Sequence, residues 1–267
     1  MLNFYWIYDM PNWALCTLIV GSFSIFSTIG IRSTRKLARK LMARPHGQNE
    51  AVGIYVSAIG VFYGITLGLI TVGASTTFSD ISSQVDREAT SIASFYRKVS
   101  NYPEPTRSLL QGQAKTYINY IIDTAWPLQR QGIIPSDIIK QVVAIEKNLD
   151  AFEPMTGSQT ALHEVTLQTF DEMARMGRAR LQNVTVGLPG ALWSIVILGA
   201  LLNIFLTWML ILDNNRPHIW LGIVFNATIG ILIFLTAAMD NPFRGDFSVS
   251  ADSFQMVYDQ LMKAKIS

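Results

Sequence analysis

The stretch from Trp220 to Ser250 limits this chain most. It carries no charged residue from Leu221 to Met239 and then breaks into Asp240-Asn241-Pro242-Phe243-Arg244-Gly245-Asp246. An uncharged run of this length crosses a bilayer as a helix, because a helix satisfies its own backbone donors and acceptors where no water reaches. Pro242 lacks the amide hydrogen to continue that helix, and Gly245 is free to take backbone angles that other residues avoid. A membrane span therefore ends in a polar turn holding two carboxylates and one guanidinium.

Three further runs have the same character: Trp13 to Ile31, about Ala51 to Phe78, and Ala191 to Leu212. Only 15% of the chain is charged, below the roughly 25% of soluble domains, so the four runs fix the broad class as integral membrane protein. A net charge of +2 gives no case for a nucleic-acid partner. No Lys or Arg precedes the first run, as a cleavable signal would require, so that run reads as an uncleaved anchor. The aromatic residues Phe4, Tyr5, Trp6, Tyr8 and Trp13 suit the headgroup zone. Cys16, the single cysteine, lies inside an apolar run and reads as a small filler that excludes an internal disulfide.

Basic residues cluster after the first run: Arg32, Arg35, Lys36, Arg39, Lys40 and Arg44, with no acid before Glu50. The cluster reads as a topology determinant, and Arg32, Arg35, Lys36, Arg39 and Lys40 as a site for anionic lipid headgroups. With Arg216 in the 213–217 turn, the charge rule puts the 32–50 loop in the cytoplasm and the segment 79–185 outside it, across a plasma (inner) membrane.

The second run spaces small residues by three and four: Gly53, Ser57, Gly60, Gly64 and Gly68. Such a ridge lets helices approach closely in lipid. On the functional reading the helix lies near a symmetry axis, and the candidate pore-lining residues are Ser57, Gly60, Phe62, Tyr63, Gly64, Thr66 and Gly68. The apolar period continues past the membrane through Ile81, Val85, Ile92, Phe95 and Val99, so one helix from Ala51 to Val99 is expected, on the order of 70 Å long. Pro103 and Pro105 end it.

Helices are then expected over Thr106–Trp126, stopped by Pro127; from Ser136 or Asp137 to Phe152; and over about 158–183. No strand pattern stands out. The whole reads as an all-α membrane protein with four transmembrane helices and a helical domain inserted between spans two and three. The divisions are 1–78 (spans one and two), 79–185 (helical extramembrane domain), 186–239 (spans three and four, an antiparallel hairpin) and 240–267 (polar turn and C-terminal helix). Asn203 and Asn226 inside the last two spans suggest hydrogen bonds between helices. Ser250 or Asp252 is placed to cap the final helix, Phe254–Lys263.

Catalytic chemistry is not visible. His46, His163 and His218 lack metal-ligand spacing, and neither a phosphate-binding glycine loop nor a nucleophile elbow is present. The expectation is a non-enzyme without metal or cofactor.

Several stretches together resemble the bacterial bestrophin-like family: Pro11-Asn12-Trp13, Asp86-Arg87-Glu88-Ala89 followed by Phe95-Tyr96-Arg97, Tyr117 to Trp126, and Asp240-Asn-Pro-Phe-Arg-Gly. The resemblance covers essentially the whole chain and implies kinship to bestrophins, which are homo-oligomeric ion channels, chloride-selective and calcium-gated in animals. Gly60-Val61-Phe62-Tyr63 is similar to the Gly-Phe-Tyr of their pore-lining second span, with one residue inserted. Asn241, Pro242 and Phe243 match their post-span motif, but Arg244 interrupts before Gly245 and the acidic run that follows is reduced to Asp246 and Asp252. The turn is therefore expected to be structural, with Arg244 pairing with a domain carboxylate. Bestrophins keep the helical region in the cytosol, so resemblance and charge rule imply opposite orientations.

The expected function is a homo-oligomeric ion channel, a tetramer or pentamer in membrane lipid, passing inorganic ions with an anion pathway slightly favoured and Phe62 in an apolar neck. The alternative is a non-conducting membrane scaffold or sensor whose helical domain binds a partner or ligand.

Overall fold

The computed structural model describes residues 5–42, 48–210, 212 and 214–263. Arg44 and Phe4 lie outside the described residues, as do the side chains of Tyr5, Trp6 and Arg39. Among the described residues the fold is all-α, without a strand. A short 3-10 turn, Tyr5–Asp9, precedes α1 (Asn12–Met42) and α2 (Gln48–Val99). Then follow α3 (Thr106–Tyr120), α4 (Trp126–Arg130), α5 (Asp137–Asp150), α6 (Gly157–Asn183), α7 (Gly190–Met209), α8 (Asn215–Asp240) and α9 (Asp252–Val257). The stretches Asn12–Ala38, Glu50–Val99, Gly190–Met209 and Arg216–Asp240 are each long and apolar enough to cross a membrane.

The chain forms two compact units. One gathers the described residues of Met1–Thr77, Gly187–Asn241 and Gly245–Phe247; the other gathers Phe78–Val186, Pro242–Arg244 and those of Ser248–Ser267.

In the first unit α1 packs mainly on α8 and also on α7. Its core joins Tyr63 and Leu67 of α2, Val196 and Ala200 of α7, and Ile229 and Ile233 of α8. Asn226 behaves as expected of an intramembrane amide: its Nδ2 donates to Ser27 Oγ on α1 at 2.8 Å. Asn203 does not. Its Nδ2 donates to Gly199 O one turn back in α7, 2.8 Å away. Its Oδ1 instead faces Gly60, where a Cβ would stand 3.6 Å away. That oxygen is buried and accepts no hydrogen bond among the described residues.

The second unit is held by Ile81, Val85, Ile92, Phe95 and Val99 of α2, packed with Leu110 and Ile118 of α3, Ile145 and Leu149 of α5, and Phe170 and Met173 of α6. Its helices differ from the sequence expectation at their ends. Pro127 does not stop the helix that begins at Thr106. Ile121–Ala125 forms one π turn, in which the Trp126 amide donates to Ile121 O five residues back. This wider turn makes room for a ring that has no amide to bond, and the helical path continues to Arg130. The α5 helix ends at Asp150 rather than Phe152, and Ser136 makes no capping bond. Thr156 does cap α6, accepting from the Gln159 amide at 3.2 Å. The C-terminal helix starts at Asp252, whose amide donates to Ser250 Oγ at 3.4 Å.

Candidate pore face and post-span turn

The α2 helix buries a narrow stripe in its membrane part: Tyr63, Leu67, Thr71 and Ala74. These positions recur every three or four residues, so they share one helix face. Thr71 and Thr236 of α8 join hydroxyls at 2.7 Å; one donates across this contact, and the other donates to the carbonyl four residues back in its own helix. Tyr63 is thereby set apart from the other candidate pore residues. Its ring occupies the space that Gly199 leaves open, and its hydroxyl donates to Val196 O at 2.9 Å. A phenol inside a membrane bundle needs a partner, and the α7 carbonyl supplies it. Tyr63 is a core residue of this unit, not part of an exposed wall.

The remaining candidates divide. Gly60 is half-buried against Asn203 and Phe225. Gly64 and Gly68 have open space where a side chain would begin. Ser57 and Thr66 are exposed, their hydroxyls donating to Gly53 O and Phe62 O within α2. Phe62 is 72% exposed, and at 3.6 residues per turn it projects roughly opposite the buried stripe. Tyr55, Ile65, Leu69 and Val72 are exposed with it. No charged residue occurs between Ala51 and Ser79.

The polar turn contributes residues to both units. In the first, Asp240 gathers three segments. Its Oδ1 accepts from the Leu188 amide, and its Oδ2 from Trp193 Nε1 at 3.0 Å and Tyr8 hydroxyl at 3.1 Å. Asn241 Nδ2 donates to the Tyr8 oxygen at 2.7 Å. These partners present N–H and O–H protons to the carboxylate, the opposite of what a cation site offers. Among the described residues no three His, Cys, Asp or Glu side chains converge as metal ligands would. Asp246 Oδ2 accepts from the Asn12 amide at 2.9 Å, placing an anion on the free donors at the start of α1. Gly245 sits at φ +80°, which favours glycine.

In the second unit Phe243 is buried, its ring edge-on to Trp126 at 5.5 Å. Pro242 O accepts from the Val249 amide at 2.8 Å. Arg244 donates to the Gln131 carbonyl. A Cβ on Gly132, itself at φ +75°, would collide with that guanidinium, so Gly132 is required twice over.

The most buried charge went unseen in the sequence. Arg180 of α6 and Glu88 of α2 form a two-pronged ion pair, 2.7 and 3.1 Å, with both side chains fully enclosed. The guanidinium carbon lies 6.0 Å from the Trp126 ring and 5.7 Å from Phe254. Burial works against the Arg180 charge, and the Glu88 carboxylate outweighs it, holding the guanidinium above its ordinary pKa. Tyr117 is pushed up by burial and then by Glu88, so it stays protonated.

Of the basic residues after the first span, Arg32, Lys36 and Lys40 are exposed and Arg35 is half-buried.

A family model described as Bestrophin-like domain matches residues 21–254. The fold matches crystal structures of a bacterial bestrophin homologue from Klebsiella pneumoniae. A point-mutant form aligns at 13% identity and TM-score 0.65, covering 94% of this chain and 99% of the other. A form solved by Zn-SAD phasing aligns at 13% identity and TM-score 0.65, covering 92% and 97%. No curated protein matches the sequence.

Proposed function

Since this multi-pass membrane chain belongs to the Bestrophin-like domain family, we propose that it is one subunit of a homo-oligomeric ion channel whose path runs along α2. The observation that carries the reading is how little of α2 its own chain covers: 17% of its most apolar window is buried. The lipid-crossing part of α2 spends one narrow stripe on its own bundle and leaves the rest for neighbours. Copies arranged about an axis would bury the small-residue side, Gly64 and Gly68, against one another, where bare backbone allows close approach. The opposite arc then faces the axis with Phe62 as an apolar neck and Thr66 as its polar contribution, while Ser57 lies on the small-residue side with the glycines. Rings of this kind gate by excluding water. An uncharged wall holds no acidic ring to attract cations, which favours an anion path.

The test is Phe62→Cys in a Cys16→Ala background, reconstituted in bilayers. A charged thiol reagent should reduce the chloride current. Current that persists after complete labelling removes Phe62 from the path.

One observation favours the second reading, a ligand sensor. A cavity of about 430 Å³ opens between α5 and α6, lined by Ile138, Val142, Phe170, Ala174 and Leu181 over Tyr117. Protein that binds apolar ligands there but is electrically silent would support it over the channel.

A further inference from the structure

The basic run after the first span is a sequence motif that the channel reading does not use. Through the membrane, one side of α1 is covered and one is not. Ser27, Gly30, Ile31 and Ala38 are buried, Ser27 bonded to Asn226 of α8, Gly30 under the Trp208 ring of α7, and Ile31 against Gly222 of α8. On the opposite side Leu18 is 48%, Ile25 62% and Ile29 57% exposed. The same side then changes chemistry. Its next positions, at spacings of three and four, are Arg32, Lys36 and Lys40, all exposed. A helix keeps its face from turn to turn, so the side that meets acyl chains is the side that carries the cations.

From this registry we propose that the exposed face of α1 binds the phosphates of anionic lipid headgroups. Three cations, one per turn, stand at the end of an acyl-facing apolar strip. Among the described residues none of the three has an ion-pair partner. The chain supplies no acid from Met10 to Asn49. Leu37, 53% exposed beside Lys36, extends apolar contact into the same zone. A water-soluble anion site would not need the cations in line with the acyl-facing strip. The inference stands apart from the channel reading, since it concerns α1 and requires no current.

The experiment is native mass spectrometry of the purified full chain equilibrated with equal parts phosphatidylglycerol and phosphatidylcholine. The wild type should retain phosphatidylglycerol in preference, and added salt should weaken that preference. The variant R32Q/K36Q/K40Q should lose the preference by roughly fivefold per cation removed. The charge-preserving R32K/K36R/K40R and the distant K140Q/K147Q should keep it. Sodium phosphate should displace no more lipid than chloride at equal ionic strength. An unchanged preference in the glutamine variant would overturn the proposal, as would its loss in the charge-preserving one. Displacement specific to inorganic phosphate would replace the lipid with a free anion and overturn it too.

Discussion

Arg180 shares α6 with Arg175 and Arg178, and nothing local in the sequence separates the three. Arg175 and Arg178 are exposed, whereas Arg180 meets Glu88, 92 residues away in sequence, with no solvent at either side chain. A buried pair of this kind contributes little over an apolar substitute but is costly to break from one side. Arg180→Met should therefore cost about 3–5 kcal/mol, read as a fall in the thermal midpoint in detergent. Glu88→Gln added to it should recover part of the loss. Equal stability of Arg180→Met and wild type would mean that the pair does not hold this core together. Asp240 has an analogous role in the other unit. Asp240→Ala strands the Leu188 amide and the Trp193 indole, and should cost about 1–3 kcal/mol by the same measurement.

At the scale of elements, the spans were legible because charge is absent over long runs, and that signal depends on no distant contact. The long α2 was legible for a similar reason: its apolar period crosses Phe78 without a proline or a change of register. Helix ends were harder to read. Pro127 is an ordinary stop signal, yet a π turn absorbs it, and that turn leaves no mark in the sequence. The glycine ridge was visible, but not the division of its labour: Gly60 fits against α7 and α8, while a Cβ at Gly64 or Gly68 would meet no described atom within 4 Å. Tyr63 stood among the pore candidates because position alone ties it to Phe62. Which side of α2 its ring takes is decided by Gly199 on a helix more than a hundred residues later. Gly199→Ala would put a Cβ 2.4 Å from that ring. It should destabilise the fold by about 1–3 kcal/mol. Gly21→Ala, with nothing within 4 Å, should leave the thermal midpoint unchanged or slightly raised. A Gly199→Ala midpoint no lower than that of Gly21→Ala would contradict this packing.

For the whole molecule, the family and the helical membrane fold are shared with bestrophin homologues at 13% identity, so fold persists where few residues do. The post-span turn illustrates the difference. There Phe243 is buried on Trp126, Asp240 binds backbone and ring donors, and Arg244 binds a carbonyl. Asp240's three-way tie was not visible, since Tyr8 and the stretch with Leu188 and Trp193 are both distant from Asp240 in sequence. On the proposed channel reading, conduction would belong to assembled copies, and the exposed face of α2 is where it is to be sought. The decisive measurement is single-channel recording of purified protein in lipid bilayers under a chloride gradient, wild type beside Phe62→Ala. The prediction is unitary current whose reversal follows chloride and whose conductance rises when the ring at position 62 is removed. Silence from both proteins, folded and oligomeric, would contradict the channel.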